Sequence, residues 1–165
     1  MHRNPFSDEE LARRLAAVRT VMAERGLGTA VFTAPENVFY LTGLDHWGYC
    51  APHYLIGPAH GDMVLVTRAM ERVAIANQVR NARFSGHEDT VAAAEQLASE
   101  LATMTKSDGA LGIEADTWGF SSAAGAHLAE RIGGHWRDIS GLWDQMRLVK
   151  SPEEQGYMRQ AARVS

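Results

Sequence analysis

The sequence predicts an α/β fold, a mixed β-sheet covered by helices. Three observations lead there. Short apolar runs, "TAVFT" at 29–33, "MVLVT" at 63–67 and "GALGIEA" at 109–115, have strand length and composition. Other segments carry apolar residues at helical spacing, as Leu11, Leu15, Val18 and Met22 do. After an early hairpin, strands and amphipathic helices alternate, the order that lays helices on the faces of a sheet. With 165 residues, 45% hydrophobic and 22% charged, the chain can bury the core of one medium domain.

The elements follow in order. Ser7-Asp8-Glu9-Glu10 has capping-box spacing and opens a helix that Gly26 closes. Residues 29–33 form a strand. Pro35 to Leu41 form a short helix with proline near its start, Gly43 after its end, and Val38 and Leu41 inward. Residues 47–57 make a strand joined to the 63–67 strand through the turn signal "PAHGD". A helix is expected over 70–79 and a short strand at "ARFSG". Thr90 to Met104 form a helix with Val91, Ala94, Leu97, Ala98 and Leu101 inward. The 109–115 strand, a helix over Ser121–Ile132, a short strand around Trp136 and a helix over 141–148 complete the series. Ser151-Pro152-Glu153-Glu154 opens a further helix with a serine cap and proline at the first helical position. Its apolar stripe is Tyr157, Met158, Ala161 and Val164. That helix reads as the first of a second domain, giving boundaries of 1–150 and 151–165. The competing reading is a terminal helix docked on the first domain.

Composition excludes several function classes. The net charge is −4 and the arginines are scattered, so no basic stripe suits a nucleic acid. No run of 18 apolar residues exists to span a membrane. Cys50 is the only cysteine, which rules out an intrachain disulfide and a cysteine metal cage. With no apolar leader at the N-terminus, a cytoplasmic location is expected.

No catalytic set converges in the sequence. Seven histidines are present without an H-E-x-x-H pattern, and adjacent His87, Glu88 and Asp89 cannot easily share one ion. "GFSSAAG" lacks a glycine-flanked serine elbow, so Ser121 or Ser122 reads as a helix cap. Gly26-Leu27-Gly28 precedes a strand, the wrong order for a dinucleotide loop. Chemistry concentrates instead in "LDHWGYCAPHY", 44–54. His46, Trp47, Tyr49, His53 and Tyr54 are the candidates for facing a substrate or partner. Imidazole and aromatic groups near a sheet edge suit such contacts, and Pro52 breaks regular pairing. For Trp47 and Tyr54 a role as core anchors stands equally open.

Four segments then carry a resemblance. "MAERGLGTAVFTAPENVFYLTG" holds Asn37, Tyr40, Leu41, Thr42 and Gly43; "MVLVTRAMER" follows; "LGIEADTW" holds Gly112, Ile113 and Glu114; and "MRLVKSPEEQGYMRQAA" holds Arg147, Lys150, Ser151, Glu154 and Arg159. In this order the chain resembles the N-terminal domain of the creatinase/prolidase metallohydrolases, which include Xaa-Pro aminopeptidases and dipeptidases. The resemblance implies a three-layer α/β/α sandwich of ribonuclease H-like type. It implies a hydrolase or peptidase parent, a metalloprotease by its cofactors: two divalent metals (Mn, Co or Zn) held by a C-terminal catalytic domain that does not occur within these residues. The fragment itself would then be no enzyme and hold no cofactor. Its implied roles are homodimerisation and substrate gating for its own catalytic domain, on a small peptide or amide substrate. "YCAPHY" lacks the arginine that creatinases carry there, which leaves prolyl dipeptides, ectoine-type compounds or another small amide. The alternative is a free-standing α/β binding or oligomerisation module.

Overall fold

Apolar side chains alternate along the strands, and each set meets a different layer of helices. The structure, a computed structural model, describes residues 4–46, 51–104 and 109–164. Helix α1 (Asp8–Glu24) leads into β1 (Leu27–Phe32) and α2 (Pro35–Thr42), followed by the hairpin β2 (Tyr54–Pro58) and β3 (Met63–Arg68). A 3₁₀ turn (Ala69–Glu71) and α3 (Arg72–Gln78) precede β4 (Ala82–His87). Helix α4 (Ala93–Thr103), β5 (Ala110–Ile113), α5 (Ser122–Ile132), β6 (Arg137–Asp138), α6 (Asp144–Leu148) and α7 (Pro152–Val164) follow. The sheet order is β4-β3-β2-β1-β5-β6. Strand β2 is antiparallel to both of its neighbours, and the other pairings are parallel.

Ala30, Phe32, Leu55 and Leu65 point to one face and pack with Val18 and Met22 of α1, Val38 and Leu41 of α2 and Ile75 of α3. Val31, Tyr54, Ile56, Val64 and Val66 point to the other, against Leu97 and Ala98 of α4 and Leu128 of α5. This period-2 split across buried strands makes three layers, the mixed α/β sandwich expected from the sequence. Two expectations shift. Regular pairing begins at Tyr54 rather than 47, because Pro52 has no N–H for the ladder and the His53 ring bonds back to Ala51 O at 2.9 Å. Val91 lies outside α4, whose N-cap is Ala92, and is partly exposed rather than inward.

Glu114, at the end of β5, is buried and organises the turn after β1. Its Oε2 accepts from Thr33 N at 2.7 Å and Ala34 N at 2.9 Å, and its Oε1 accepts from Asn37 Nδ2. Ala34, the N-cap of α2, has no side-chain acceptor to offer, so the carboxylate of a distant strand caps the helix instead. At the far end Gly43 takes φ +69°, the left-handed cap geometry.

Arg14 ties α1 to α7. Its side chain is 0% exposed, and its guanidinium carbon lies 3.8 Å from the Phe6 ring centroid and 4.4 Å from that of Tyr40. It donates to Glu10 Oε1 and Tyr40 O, each at 2.8 Å, and pairs with Glu154 at 3.2 Å. The Arg13 hydrogen bond, joined by Arg14, holds the Glu10 carboxyl down at about 2. Glu10 is thereby diverted from the capping box expected with Ser7. Ser7 Oγ still accepts from Glu10 N, but Ser7 N donates to Glu153 of α7 at 2.9 Å. Within α7, Ser151 and Glu154 do make the reciprocal box, at 2.8 and 3.2 Å. The first turns of α7 therefore dock on the domain, while residues 158–164 are exposed.

Two outcomes follow for stability. Burial pushes the Glu114 pKa up from 4.5 to about 7, against the pull of the Ala34 and Thr33 amides and Asn37. A carboxyl raised in this way stabilises the fold fully below pH 4.5 and loses that contribution as pH rises through 7. Glu114→Gln should flatten the slope of urea-unfolding free energy over this window and stay within about 1.5 kcal/mol of the parent at pH 5. It can do so because Asn37 Oδ1, buried without a hydrogen-bond partner among the described residues, can turn to accept the new amide. Glu114→Ala should cost about 2–4 kcal/mol. Amide exchange should split α7, with 154–157 protected and 159–164 fast, and Arg14→Met should erase the protected half.

Candidate functional site

Every strand but β2 runs in one direction, so their carboxyl ends share one edge of the sheet. Thr33, Arg68, His87, Glu114 and the loop after β6 all lie there. Strand β2 enters from that same edge, which brings Ala51, Pro52 and His53 alongside. In open α/β sheets this is the edge at which ligands bind.

Of the sequence-predicted residues, the structure brings two together. His46 and His53 stack with ring centroids 3.9 Å apart and an interplanar angle of 34°. His53 is 4% exposed and His46 half-buried. Burial lowers both pKa values, that of His46 to about 3 with the His53 ring adding to the effect. Both rings are therefore neutral near pH 7. Trp47 and Tyr49 lie outside the described residues. Tyr54 does not face outward. It is 1% exposed, on the opposite side of the sheet, edge-on to Phe120 at 6.2 Å. As the first residue in β2, Tyr54 has its side chain packed on the α4/α5 face. Asn37, read as structural, is buried against Glu114.

A cavity of about 180 Å³ opens beside the histidine pair, bounded by Asp45, Arg68 and Glu71. The Arg68 guanidinium makes two 2.8 Å hydrogen bonds to the Asp89 carboxylate. His87 Nδ1 meets Glu88 O at 3.0 Å, so the His87-Glu88-Asp89 run is divided between different partners. Among the described residues no group of three His, Cys, Asp or Glu is placed to hold a metal ion. Among the described residues, too, no helix is long and apolar enough to cross a membrane.

Sequence reading missed Trp118. It is 89% exposed at the same edge, in the loop between β5 and α5. That loop is pinned. Thr117 Oγ1 lies 2.5 Å from Thr33 Oγ1, Asp116 N donates to Ser140 Oγ, and a Cβ at Gly119 would come within 2.0 Å of Thr33 O. The signal was available in Gly119, a residue without a side chain directly after a large aromatic one.

An α/β/α sandwich with its polar groups gathered at one sheet edge, and with a strand-borne glutamate capping the helix after β1, defines a domain class. The chain belongs to the Creatinase/Prolidase N-terminal domain family, whose pattern it matches over residues 14–149. It is 29% identical over 170 aligned positions to an ectoine hydrolase from Halomonas elongata, covering 97% of this chain and 43% of that protein. The chain thus spans less than half of that relative's length. Among solved structures, a prolidase from Thermococcus sibiricus superposes with TM-score 0.79 and 18% identity, over 96% of this chain and 42% of that one. A separately solved domain of a Streptococcus thermophilus dipeptidase superposes with TM-score 0.66 and 20% identity, over 81% of this chain and 98% of that one. These two structures support the fold.

His53→Ala should lower stability by about 1–3 kcal/mol, since it empties a buried, stacked site. The pH signature should be opposite to that of Glu114. A histidine with a depressed pKa stabilises the fold above its ordinary 6.5 and loses that contribution as pH falls, toward 3 for His46. Thermal unfolding of the parent and the variant from pH 7.5 to 4 should show a shallower acid loss in the variant.

Proposed function

We propose that this chain is the non-catalytic N-terminal domain of a dimetal C–N hydrolase. On this reading residues 1–150 form the domain, and residues 151–165 are the first helix of a catalytic domain that carries two divalent metals. The domain contributes to homodimerisation and to substrate gating, with its carboxyl sheet edge turned toward the catalytic machinery. The observation that supports it most is the family match over residues 14–149, combined with the 43% share of a hydrolase relative that the chain spans.

What this chain's own residues supply is position. Glu114 and Asn37 hold the turn and helix that present the histidine segment. Arg14 and Glu154 set the direction in which α7 leaves. His46, His53 and Trp118 furnish two neutral imidazoles and one large apolar face at the edge where a substrate or the second subunit would arrive.

Two substrate classes fit. The solved relatives include a prolidase and a dipeptidase, which favours Xaa-Pro dipeptides. The 29% identity to an ectoine hydrolase across 97% of the chain favours an ectoine-like small amide instead. An enzyme containing this domain separates the two by its kcat/KM on ectoine and on a Xaa-Pro dipeptide panel.

The 165-residue chain alone, assayed with added Mn²⁺ against both substrates, should show no turnover above a protein-free control. Turnover that follows the folded fraction would overturn the assignment.

A further inference from the structure

Glu114 and Asn37 meet in a pair of which only half is used. Both are buried, with 1% and 4% of their surface exposed. The carboxylate accepts through both oxygens, but its two ends differ in kind. Oε2 faces two backbone N–H groups, Thr33 at 2.7 Å and Ala34 at 2.9 Å, which the turn after β1 holds in place. Oε1 faces a side-chain amide, and Asn37 Nδ2 donates to it. The other end of that amide, Oδ1, is buried and has no hydrogen-bond partner among the described residues. An unused acceptor in a buried site is costly, and this one belongs to the very residue that faces the carboxyl group.

Protonation of the carboxyl group gives that acceptor a partner. Both lone pairs of Oε2 are taken by backbone donors that cannot turn away, so an added proton sits on Oε1. There the new O–H meets Nδ2, donor against donor. A half-turn of the Asn37 amide removes the conflict, because Oδ1 then takes the place of Nδ2 and accepts the O–H. Amide oxygen and nitrogen are nearly the same size, so the turn leaves the packing almost unchanged. Oε2 accepts from Thr33 and Ala34 in both states, and only the charge behind those bonds differs.

The surrounding charges leave both states within reach. The ionisable groups on the elements around the pair are Glu36 on α2, Asp116 in the loop after β5, and Arg137 and Asp138 on β6. Glu36, Asp116 and Asp138 are exposed, and Asp138 is taken up by Ser140. Arg137 turns to Arg25 O, at the opposite end of the sheet. Burial favours the neutral acid and Glu36 adds to it. Together they outweigh the Ala34, Thr33 and Asn37 hydrogen bonds, so the carboxyl titrates at about 7.

We infer that Glu114 and Asn37 form a proton-operated switch inside the folded domain: Glu114 takes a proton from solvent on Oε1, and the Asn37 amide reverses to receive it. The cap of α2 then alternates between a charged and a neutral form. Thr33, at the same joint, pairs its hydroxyl with that of Thr117, so the switch sits where α2 meets the Trp118 loop.

The test uses the 165-residue chain labelled with ¹³C and ¹⁵N, titrated from pH 9 to pH 5 and followed by NMR. Glu114 Cδ should move upfield with a midpoint of about 7, and the Asn37 Nδ2 group should shift with the same midpoint. The scalar coupling across the hydrogen bond from Asn37 Nδ2 to Glu114 Cδ should be present at pH 9 and lost at pH 5. In Glu114→Gln the Asn37 amide should stop titrating, and the introduced amide nitrogen should couple to Asn37 Cγ. If Glu114→Gln does not fold, the titration of the parent decides alone. The inference is overturned by a Glu114 Cδ that stays a carboxylate down to pH 5, by an Asn37 amide that does not follow it, or by a coupling that persists at pH 5.

Discussion

The Glu114 carboxylate joins the end of β5, the turn after β1 and the first turn of α2. The helix it caps has no acceptor of its own, and the strand it extends is only four residues long. Each element is therefore poorly specified alone and well specified by the other. Thr33 deepens the joint, donating through Oγ1 to Glu114 O while its own carbonyl lies against Gly119. Three donors converge on one side chain in a nearly dry site, where hydrogen bonds are strong and any unpaired group is costly. The Trp118 loop is held to this joint through the Thr33–Thr117 hydroxyl pair and the close approach of Gly119 to Thr33 O.

A second joint, around Arg14, works on different physics. Here the cation lies between two aromatic rings, and its hydrogen bonds and ion pair run to three partners. Nε and Nη1 are matched by Glu10 and Tyr40 O, while Nη2 has the ion pair to Glu154 but no hydrogen bond among the described residues, so the two rings and the carboxylates share the compensation of this buried charge. The network uses acidic residues from both helices, so α1 receives part of its N-terminal capping from α7.

Much of this was legible in the sequence for a physical reason. Period-2 and period-3.6 patterns report which side chains are buried, and burial is what fixed β1, β3, α1 and the two helix layers. Gly43, Ser121 and Ser151 behaved as caps because capping is a local matter. Partnerships made at long range were not legible. Ser7 and Glu10 have the right spacing for a box, yet Arg13, Arg14 and Glu153, the last far along the chain, redirect both. Tyr54 and His53 look equivalent in sequence, but the strand begins between them, and one residue of offset sends their side chains to opposite faces of the sheet. The stacking of His46 on His53 joins two residues that share no regular element, so no local pattern encodes it.

The divided character of α7 gives it the mechanics of a lever. Its fulcrum is the cluster of Ser7, Arg14, Glu153 and Glu154, and its outer half touches the domain little. A 13-residue helix is about 20 Å long, so a 10° rotation about that cluster would carry its far end by about 3 Å. Such a displacement is comparable to a side-chain contact distance. Sub-ångström adjustments of one guanidinium between two aromatic rings would then be magnified into a change of alignment at the helix tip.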